Sequence, residues 1–317
     1  MNTINANASR PANGPSSATR QPPPRRGAKP REQIVGIIPL VLLPFAVILV
    51  RNELTAWAFM WLMAFSIYFS CKWMTWRSAR AQLRGIAAWK VVVYLLGYPG
   101  MDAVRFFQRP DGTSLCTKGG AALFNVAIGA ILMWGLARFL LTVSPLLAAA
   151  AGIAAIILLL HFGTFSLLAL VWQRLGLNAP PIMELPAAAT SVAQFWGQRW
   201  NVAFRDLSNR FLWRPLSRRF GLRYATLLTF IASGVVHELV ISLPAGGGYG
   251  LPTAYFTING VAMLAERSRI GKRCGLGHGV VGWLFTVAIT VGPVCILFHP
   301  PFLRQVVLPF MQTIGAF

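Results

Sequence analysis

The feature that most constrains this chain is a series of long apolar runs with very few charged side chains. A helix needs roughly 20 predominantly apolar residues to cross the hydrocarbon core of a bilayer. Seven runs approach or reach that length, and we predict that each forms a membrane-spanning helix. The predicted spans are Ile34–Val50, Leu54–Ser70, Ala121–Thr142, Leu146–Trp172, Tyr224–Leu243, Leu251–Ala265 and Gly279–Phe298.

The composition agrees with a membrane protein. Of the 317 residues, 56% are hydrophobic and only 12% are charged, and the mean hydropathy is +0.58. That charged fraction is about half the share usual in soluble domains. Two further apolar runs are shorter: Ile86–Tyr98 carries Lys90 and is predicted to be interfacial or re-entrant, and Phe302–Phe317 closes the chain. We therefore predict an all-α fold, a polytopic transmembrane bundle of about seven to nine membrane helices, over residues 34–317.

The formal net charge of +21 is distributed unevenly between the predicted helices. Basic side chains crowd the N-terminal tail, the stretch after the second span, the long connection before Tyr224 and the loop after Ala265, whereas residues 142–145 and 243–252 carry no charge. This alternation follows the positive-inside rule and predicts a cytoplasmic N-terminus. A basic cytoplasmic face also favours contact with anionic lipid head groups. Nucleic-acid binding is disfavoured, because no basic stretch belongs to a soluble fold.

The N-terminal tail differs from the rest of the chain in composition. It is rich in Pro, Ser, Asn and Ala, and its six basic residues are accompanied by no acidic residue before Glu32. Too little apolar content is available to form a packed core. We predict a disordered, basic cytoplasmic tail over residues 1–33.

Several common site motifs are absent from the sequence. The four cysteines and four histidines are scattered without metal-ligand spacing, so we predict no catalytic metal. The sequence has neither a phosphate-binding loop nor a G-x-S-x-G nucleophile elbow. His161 has few polar helical neighbours and is predicted to be a core or interfacial residue, and His278 and His299 are predicted to be interfacial.

The stretch SGVVHELV, residues 233–240, places a histidine and a glutamate inside an apolar run. On a helix with 3.6 residues per turn, Thr226, Thr229, Ser233 and His237 form one polar stripe. Such a stripe faces a bundle interior or a wet cavity. Two interpretations of the stripe are equally possible. Its side chains form hydrogen bonds between helices, or His237 acts as a general base.

Two residues next to the stripe, Gly234 and Glu238, are also predicted to have a specific role. Gly234 lies beside it and permits the close approach of a neighbouring helix or ligand. Glu238 points about 100° away from it and needs its own partner, because a lone buried carboxylate is costly.

The preceding segment, residues 191–221, is predicted to be an amphipathic helix at the membrane surface. Its apolar stripe contains Trp196, Trp200, Phe204, Leu207 and Phe211, and arginines flank it. Aromatic and arginine side chains are typical of interfacial helices. A plain interfacial anchor explains the stripe but not the density of tryptophan and arginine beside Asn201.

Taken together, FWGQRWN at 195–201 and SGVVHEL at 233–239 resemble the membrane-bound O-acyltransferase family, and most of all its wax synthase subgroup. The helix YFTINGVAMLAER at 255–267 is similar to the family's next helix, but has Asn259 where a histidine is common. The closing stretch, GWLFTVAITVGPVCILFHPPFLR, is similar to the last conserved helix. The resemblance covers roughly residues 180–305, and the N-terminal half matches only in being hydrophobic.

The resemblance implies transfer of an acyl group from acyl-CoA to a hydroxyl, with no cofactor beyond the acyl-CoA co-substrate. His237 matches the essential histidine and would act as general base, and Asn201 matches the motif asparagine, which would hydrogen-bond substrate or oxyanion. The residues that we expect to bind substrate or acyl-CoA are Trp196, Arg199, Trp200, Arg205, Ser233, Gly234 and Glu238. Arginine suits the phosphates of CoA, although the positive-inside bias also explains these arginines.

The expected partners are acyl-CoA, a lipid alcohol acceptor and membrane lipids, while the acceptor's identity and the oligomeric state stay open. A composition rich in Ala and Arg favours a bacterial cytoplasmic membrane over the endoplasmic reticulum. Two alternatives are a transporter, lipid flippase or scramblase that uses the polar stripe, and a non-catalytic scaffold. A transporter is expected to show matching broken helices in two halves, and no such pairing is visible.

Overall fold

A computed structural model describes residues 30–109 and 119–317, and within those ranges the chain is helical and contains no strand. The predicted tail over residues 1–33 lies outside the described residues except for its last four. Those four are helical, because the first helix already begins at Pro30.

Two long helices open the described chain and pack along each other. They are α1, Pro30–Leu49, and α2, Ala56–Ala79, and a shorter apolar helix, α3, Ala88–Gly97, follows them. The predicted run Leu54–Ser70 is therefore the first part of a longer helix.

Lys72 was predicted to contribute to a basic cytoplasmic stretch after the second span, and that prediction is wrong. It lies within α2, is fully buried, and its Nζ donates to the carbonyl oxygen of Gly100 at 2.5 Å. The ring of Tyr94 lies 3.3 Å from the ammonium, measured to the ring centroid. A cation–π contact and a carbonyl acceptor replace the water that the charge has lost.

The middle of the chain forms a tight helical hairpin, α4, Gly119–Leu141, and α5, Pro145–Arg174. A Cβ atom at Gly129 would lie 2.7 Å from Cγ of Leu159, and one at Gly163 would lie 2.5 Å from Cγ2 of Val126. Glycine thus permits the helices to approach closely, as is common between membrane helices.

The longest helical stretch, α6, Val202–Ala245, is broken at Gly221, whose φ of 81° and ψ of 169° are not helical. The break separates an arginine-rich first part from an apolar second part that matches the predicted span Tyr224–Leu243. The second part packs along α7, Leu251–Glu266.

The C-terminal region contains α8, Gly279–Leu297, and a final helix, α9, over residues 300–313. Helix α9 packs against α5 and α2, and the absence of a Cβ at Gly152 makes room for Met311. The largest buried apolar cluster lies where α4 to α9 meet, and includes Tyr255, Phe256 and Val306.

Within the described ranges, four helices are long and apolar enough to cross a membrane: α4, α5, α6 and α8. Large apolar side chains are exposed on their outer faces, for example Phe124 and Phe139 on α4 and Val280 on α8. The chain is thus an integral membrane protein with an all-α fold, as predicted. The predicted count of seven to nine spans is not confirmed, although each of the seven predicted runs coincides with a helix or part of one.

Candidate functional site

His237 lies near the end of the apolar part of α6 and lines a large cavity. Its Nδ1 lies 2.7 Å from the carbonyl oxygen of Ser233, one turn earlier. Because a carbonyl oxygen only accepts, Nδ1 carries the proton in this contact, and Nε2 keeps its lone pair. The ring rests on Phe256 of α7, with centroids 4.3 Å apart. Both contacts hold the imidazole in one orientation.

The predicted polar stripe is confirmed as one face of α6. Thr226, Thr229, Ser233 and His237 all line the cavity. Gly234 does not line it. A Cβ there would lie 2.6 Å from Cα of Thr253, so this glycine lets α7 approach α6 directly beside the histidine.

The FWGQRWN segment is not part of a continuous amphipathic helix, and that prediction is wrong. A wide π-helical turn over Phe195–Arg199 ends in an extended Trp200, and Asn201 is left-handed with φ 43° and ψ 60°. Longer-range backbone bonds fix this shape, since the amide of Val202 donates to the carbonyl of Ile182 at 2.9 Å. The motif therefore folds as a turn at the wall of the cavity.

Asn201 lines the cavity and also caps the start of α6. Its Oδ1 accepts from the amide of Phe204 at 3.4 Å. The backbone amide must meet the oxygen, so the Nδ2 group, with its two N–H donors, is left for other partners. Asparagine also tolerates the left-handed backbone that this turn requires.

Trp196, Trp200 and Arg205 line the same cavity. Arg205 donates from Nη1 to the carbonyl oxygen of Gly197 at 2.6 Å, and its Nε lies 2.7 Å from Oδ1 of Asp206. The guanidinium thus braces the motif turn at the cavity wall.

Besides Gly234, two of the predicted binding residues do not line the cavity. Arg199 donates from Nη1 to the carbonyl oxygens of Glu184 and Leu185, at 3.1 and 3.2 Å. Glu238 caps the start of α7, where its Oε1 accepts from the amide of Thr253 at 3.0 Å and from the hydroxyl of the same residue at 2.8 Å. Both side chains hold loops in place. Thr253 is the partner that Glu238 was predicted to need.

The cavity has a volume of about 1070 Å³, slightly above the roughly 300–1,000 Å³ typical of small-molecule sites. Side chains from α2 and from α4 to α9 line it, together with the FWGQRWN turn. Most are apolar, including Ile153, Phe298, Val306 and Phe310. Arginine side chains also reach it, from Arg205 and from Arg267 beyond the end of α7.

His161, predicted to be a core or interfacial residue, lines this same cavity. Its ring lies nearly parallel to that of Trp200, with centroids 6.3 Å apart. The signal that could have identified it is its position in mid-span, because an ionisable side chain inside a membrane is costly without a function or a partner.

Asn259 and Glu266 of α7 hold the FWGQRWN segment from behind. Asn259 is fully buried and its Oδ1 accepts from Nε1 of Trp196 at 3.0 Å. The Glu266 carboxylate accepts from the amides of Val192 and Ala193 at 2.7 and 2.9 Å. The asparagine that stands in place of a common histidine therefore positions the motif tryptophan.

His299 was predicted to be interfacial, but it is fully buried. Its Nε2 lies 3.2 Å from Oγ of Ser242, and its Nδ1 accepts from the amide of Phe302 at 3.2 Å. Gly248 makes room for the ring because it has no Cβ. His299 thus joins the end of α6 to the start of α9.

No group of three or more His, Cys, Asp or Glu side chains that could hold a metal ion occurs within residues 30–109 and 119–317. The polar groups of the cavity lining are imidazole, indole, amide, hydroxyl and guanidinium groups.

Comparisons with known proteins match the part of the chain that forms this site. The membrane bound O-acyl transferase family matches residues 179–258. Probable long-chain-alcohol O-fatty-acyltransferase 7 of Arabidopsis thaliana is 30% identical over 148 residues, which cover 41% of this chain and 42% of that protein. Long-chain-alcohol O-fatty-acyltransferase of Simmondsia chinensis is 31% identical over 147 residues, covering 41% of this chain and 40% of that protein.

A shorter match, 34% identical over 71 residues, is to acyl-CoA–sterol O-acyltransferase 1 of Arabidopsis thaliana and covers 20% of this chain and 21% of that protein. The matched part spans about two fifths of the length of the two long-chain-alcohol relatives. The resemblance to the membrane-bound O-acyltransferase family, and to its wax synthase-like members, is confirmed over this region.

Proposed function

We propose that this chain, which matches the membrane bound O-acyl transferase family over residues 179–258, transfers a fatty acyl group from acyl-CoA to the hydroxyl of a lipid alcohol. The observation that carries the proposal is the setting of His237. Its Nδ1 is held by the carbonyl of Ser233, which leaves Nε2 available as a base in a large, mostly apolar cavity that Asn201 also lines.

In the proposed reaction, His237 acts as general base. Nε2 takes the proton of the acceptor hydroxyl while that oxygen attacks the thioester carbonyl carbon. The carbonyl oxygen becomes an oxyanion, and the Nδ2 group of Asn201 donates to it. The carbon–sulfur bond then breaks, the CoA thiolate takes the proton back from His237, and the ester and CoA leave.

The two substrates suit different parts of the cavity. The apolar walls formed by α5, α8 and α9 provide an environment for a long acyl chain. The CoA head carries several phosphate charges, and Arg205 and Arg267 are the arginines of the lining. Arg199 supports this region indirectly, by holding the loop at Glu184 and Leu185.

The orientation that we propose follows from the charge pattern. The N-terminus and the arginine-rich first part of α6 lie on the cytoplasmic side, where acyl-CoA is available. The Ala- and Arg-rich composition favours a bacterial cytoplasmic membrane over the endoplasmic reticulum.

The transporter, flippase or scramblase alternative gains no support from the comparisons. The relatives described above carry the names of acyltransferases. The polar stripe of α6 and the FWGQRWN turn also line one and the same cavity, as an acyl-transfer site requires.

The proposal is tested by ester formation in membranes that contain the full chain. Labelled palmitoyl-CoA is supplied with hexadecanol, diacylglycerol or a sterol, and membranes from cells lacking the chain serve as control. The expected result is a labelled ester with at least one of these alcohols, reduced strongly in Asn201→Ala at matched expression. Absence of ester with every alcohol, from a chain that is present and folded in the membrane, would refute the proposed acceptor class.

A further inference from the structure

A second histidine, His161, lines the cavity in which we place the proposed reaction. His161 lies in wide π-helical turns of α5, over Ile157–Thr164, and such turns often occur at functional sites. Its ring lies between Trp200, at 6.3 Å and nearly parallel, and Phe165, at 5.6 Å and edge-on. Trp200 directly precedes Asn201, so His161 lies against the motif turn.

The two nitrogens of His161 differ in access. Nδ1 is buried and has no hydrogen-bond partner among the described residues. Because Nδ1 is closed off from the cavity, Nε2 is the nitrogen left to contact a ligand there. A buried lone pair without a partner is tolerated better than a buried N–H without one, which favours the tautomer with the proton on Nε2. His161 then presents an N–H donor to the chamber.

Four threonine hydroxyls on the cavity wall donate their protons to backbone carbonyls. Thr226 donates to the carbonyl of Leu222, and Thr229 to that of Ala225. Thr286 and Thr290 of α8 likewise donate to carbonyls one turn earlier. These threonines offer a ligand oxygen no proton, whereas the Nε2–H of His161 is free to donate to one.

A lipid alcohol has two requirements in such a chamber. Its hydroxyl is one donor and also an acceptor, and both functions need partners once water is excluded. In the proposed reaction its proton points to Nε2 of His237. Its oxygen lone pair then needs a donor, while Asn201 serves the thioester oxygen.

We propose that His161 is an acceptor-binding residue, whose Nε2–H donates to the hydroxyl oxygen of the lipid alcohol and aims its proton at His237. This inference rests on the proposed acyltransferase function and deepens it. Loss of the donor weakens alcohol binding and leaves acyl-CoA binding intact. Loss of one hydrogen bond of this kind corresponds to about a tenfold change in the alcohol's KM.

The test compares His161→Phe with wild type in membranes that form ester. Phenylalanine keeps the aromatic contact with Trp200 and removes the donor. The expected result is a rise of about tenfold in the KM for hexadecanol, with the KM for palmitoyl-CoA unchanged. His161→Gln restores a donor and is expected to recover most of the hexadecanol KM. Phe162→Leu, a neighbouring change in the same cavity wall, is the control for altered shape and is expected to raise that KM less.

Three outcomes would overturn the inference while the proposed function stands. They are a wild-type hexadecanol KM in His161→Phe, a rise in the palmitoyl-CoA KM instead, and an equal rise in Phe162→Leu. If His161→Phe fails to accumulate, His161→Leu and His161→Gln give the same comparison. A wild-type chain that forms no ester refutes the proposed function itself, so the two failures are distinguishable.

Discussion

Replacing Gly234 with alanine tests whether the close contact between α6 and α7 holds His237 in place. The new Cβ would lie 2.6 Å from Cα of Thr253, whereas carbon atoms in contact prefer about 3.5–4.0 Å. The helices must therefore separate by about 1 Å. Overpacking of this kind lowers the free energy of unfolding by about 1–3 kcal/mol. The better helix propensity of alanine offsets up to about 1 kcal/mol of that loss.

The expected effect on activity is larger than that on stability. A displacement of about 1 Å at a reacting group can lower a rate by about 10²-fold, and His237 lies one turn after Gly234. We expect Gly234→Ala to lower the rate of ester formation by one to two orders of magnitude, with a modest fall in the apparent melting temperature in detergent.

Gly135→Ala is the matched control for this experiment. It makes the same change in a membrane helix, but its Cβ would meet nothing closer than Cγ2 of Ile131 at 3.9 Å. The control should therefore keep wild-type activity, with a melting temperature equal to or slightly above that of wild type, because alanine favours the helix. The reasoning is refuted if Gly234→Ala behaves like Gly135→Ala in both measurements.

Two further predictions concern the contacts that hold the FWGQRWN segment. Asn259→Leu leaves the indole N–H of Trp196 without its acceptor, at a cost of about 1–3 kcal/mol. The melting temperature and the rate of ester formation should both fall. Asn259→His restores an acceptor and should recover both. Glu266→Gln leaves one of the two backbone amides that it accepts from without a carboxylate oxygen, and should destabilise the chain by about 1.5–3 kcal/mol in thermal unfolding. The same change at exposed Glu184 is the control, and equal melting temperatures for the two variants would contradict this role of Glu266.

The helices were predictable because run length and hydropathy are local properties. Residues Leu251–Ala265 and Gly279–Phe298 match observed helices to within one residue at each end. The polar stripe of α6 was predictable for the same reason, since helical periodicity alone places Ser233 and His237 on one face.

The motif turn was not predictable from periodicity. The aromatic spacing of Trp196, Trp200 and Phe204 suits a helix, but backbone bonds to residues before the motif impose a turn at Asn201. Those partners are distant in sequence, and no local pattern encodes them. The fold also decides that His161 joins the site, because α5 and the motif turn meet only after the bundle forms.

Arg199 and Glu238, two of the predicted binding residues that do not line the cavity, illustrate the same limit. Charge type suggested substrate contact, whereas geometry gives each side chain backbone or hydroxyl partners in nearby loops. Their sequence context contains no sign of those partners.

The most direct test of the central claim is the rate of ester formation by His237→Ala and His237→Gln beside wild type, at matched levels in the membrane. Glutamine keeps much of the volume and polarity of histidine but is not a base at neutral pH. Removal of a general base lowers a rate by about 10²–10⁴-fold, so both variants are predicted to lose ester formation to that extent while the chain stays folded. A His237→Gln chain that forms ester at the wild-type rate would contradict the account.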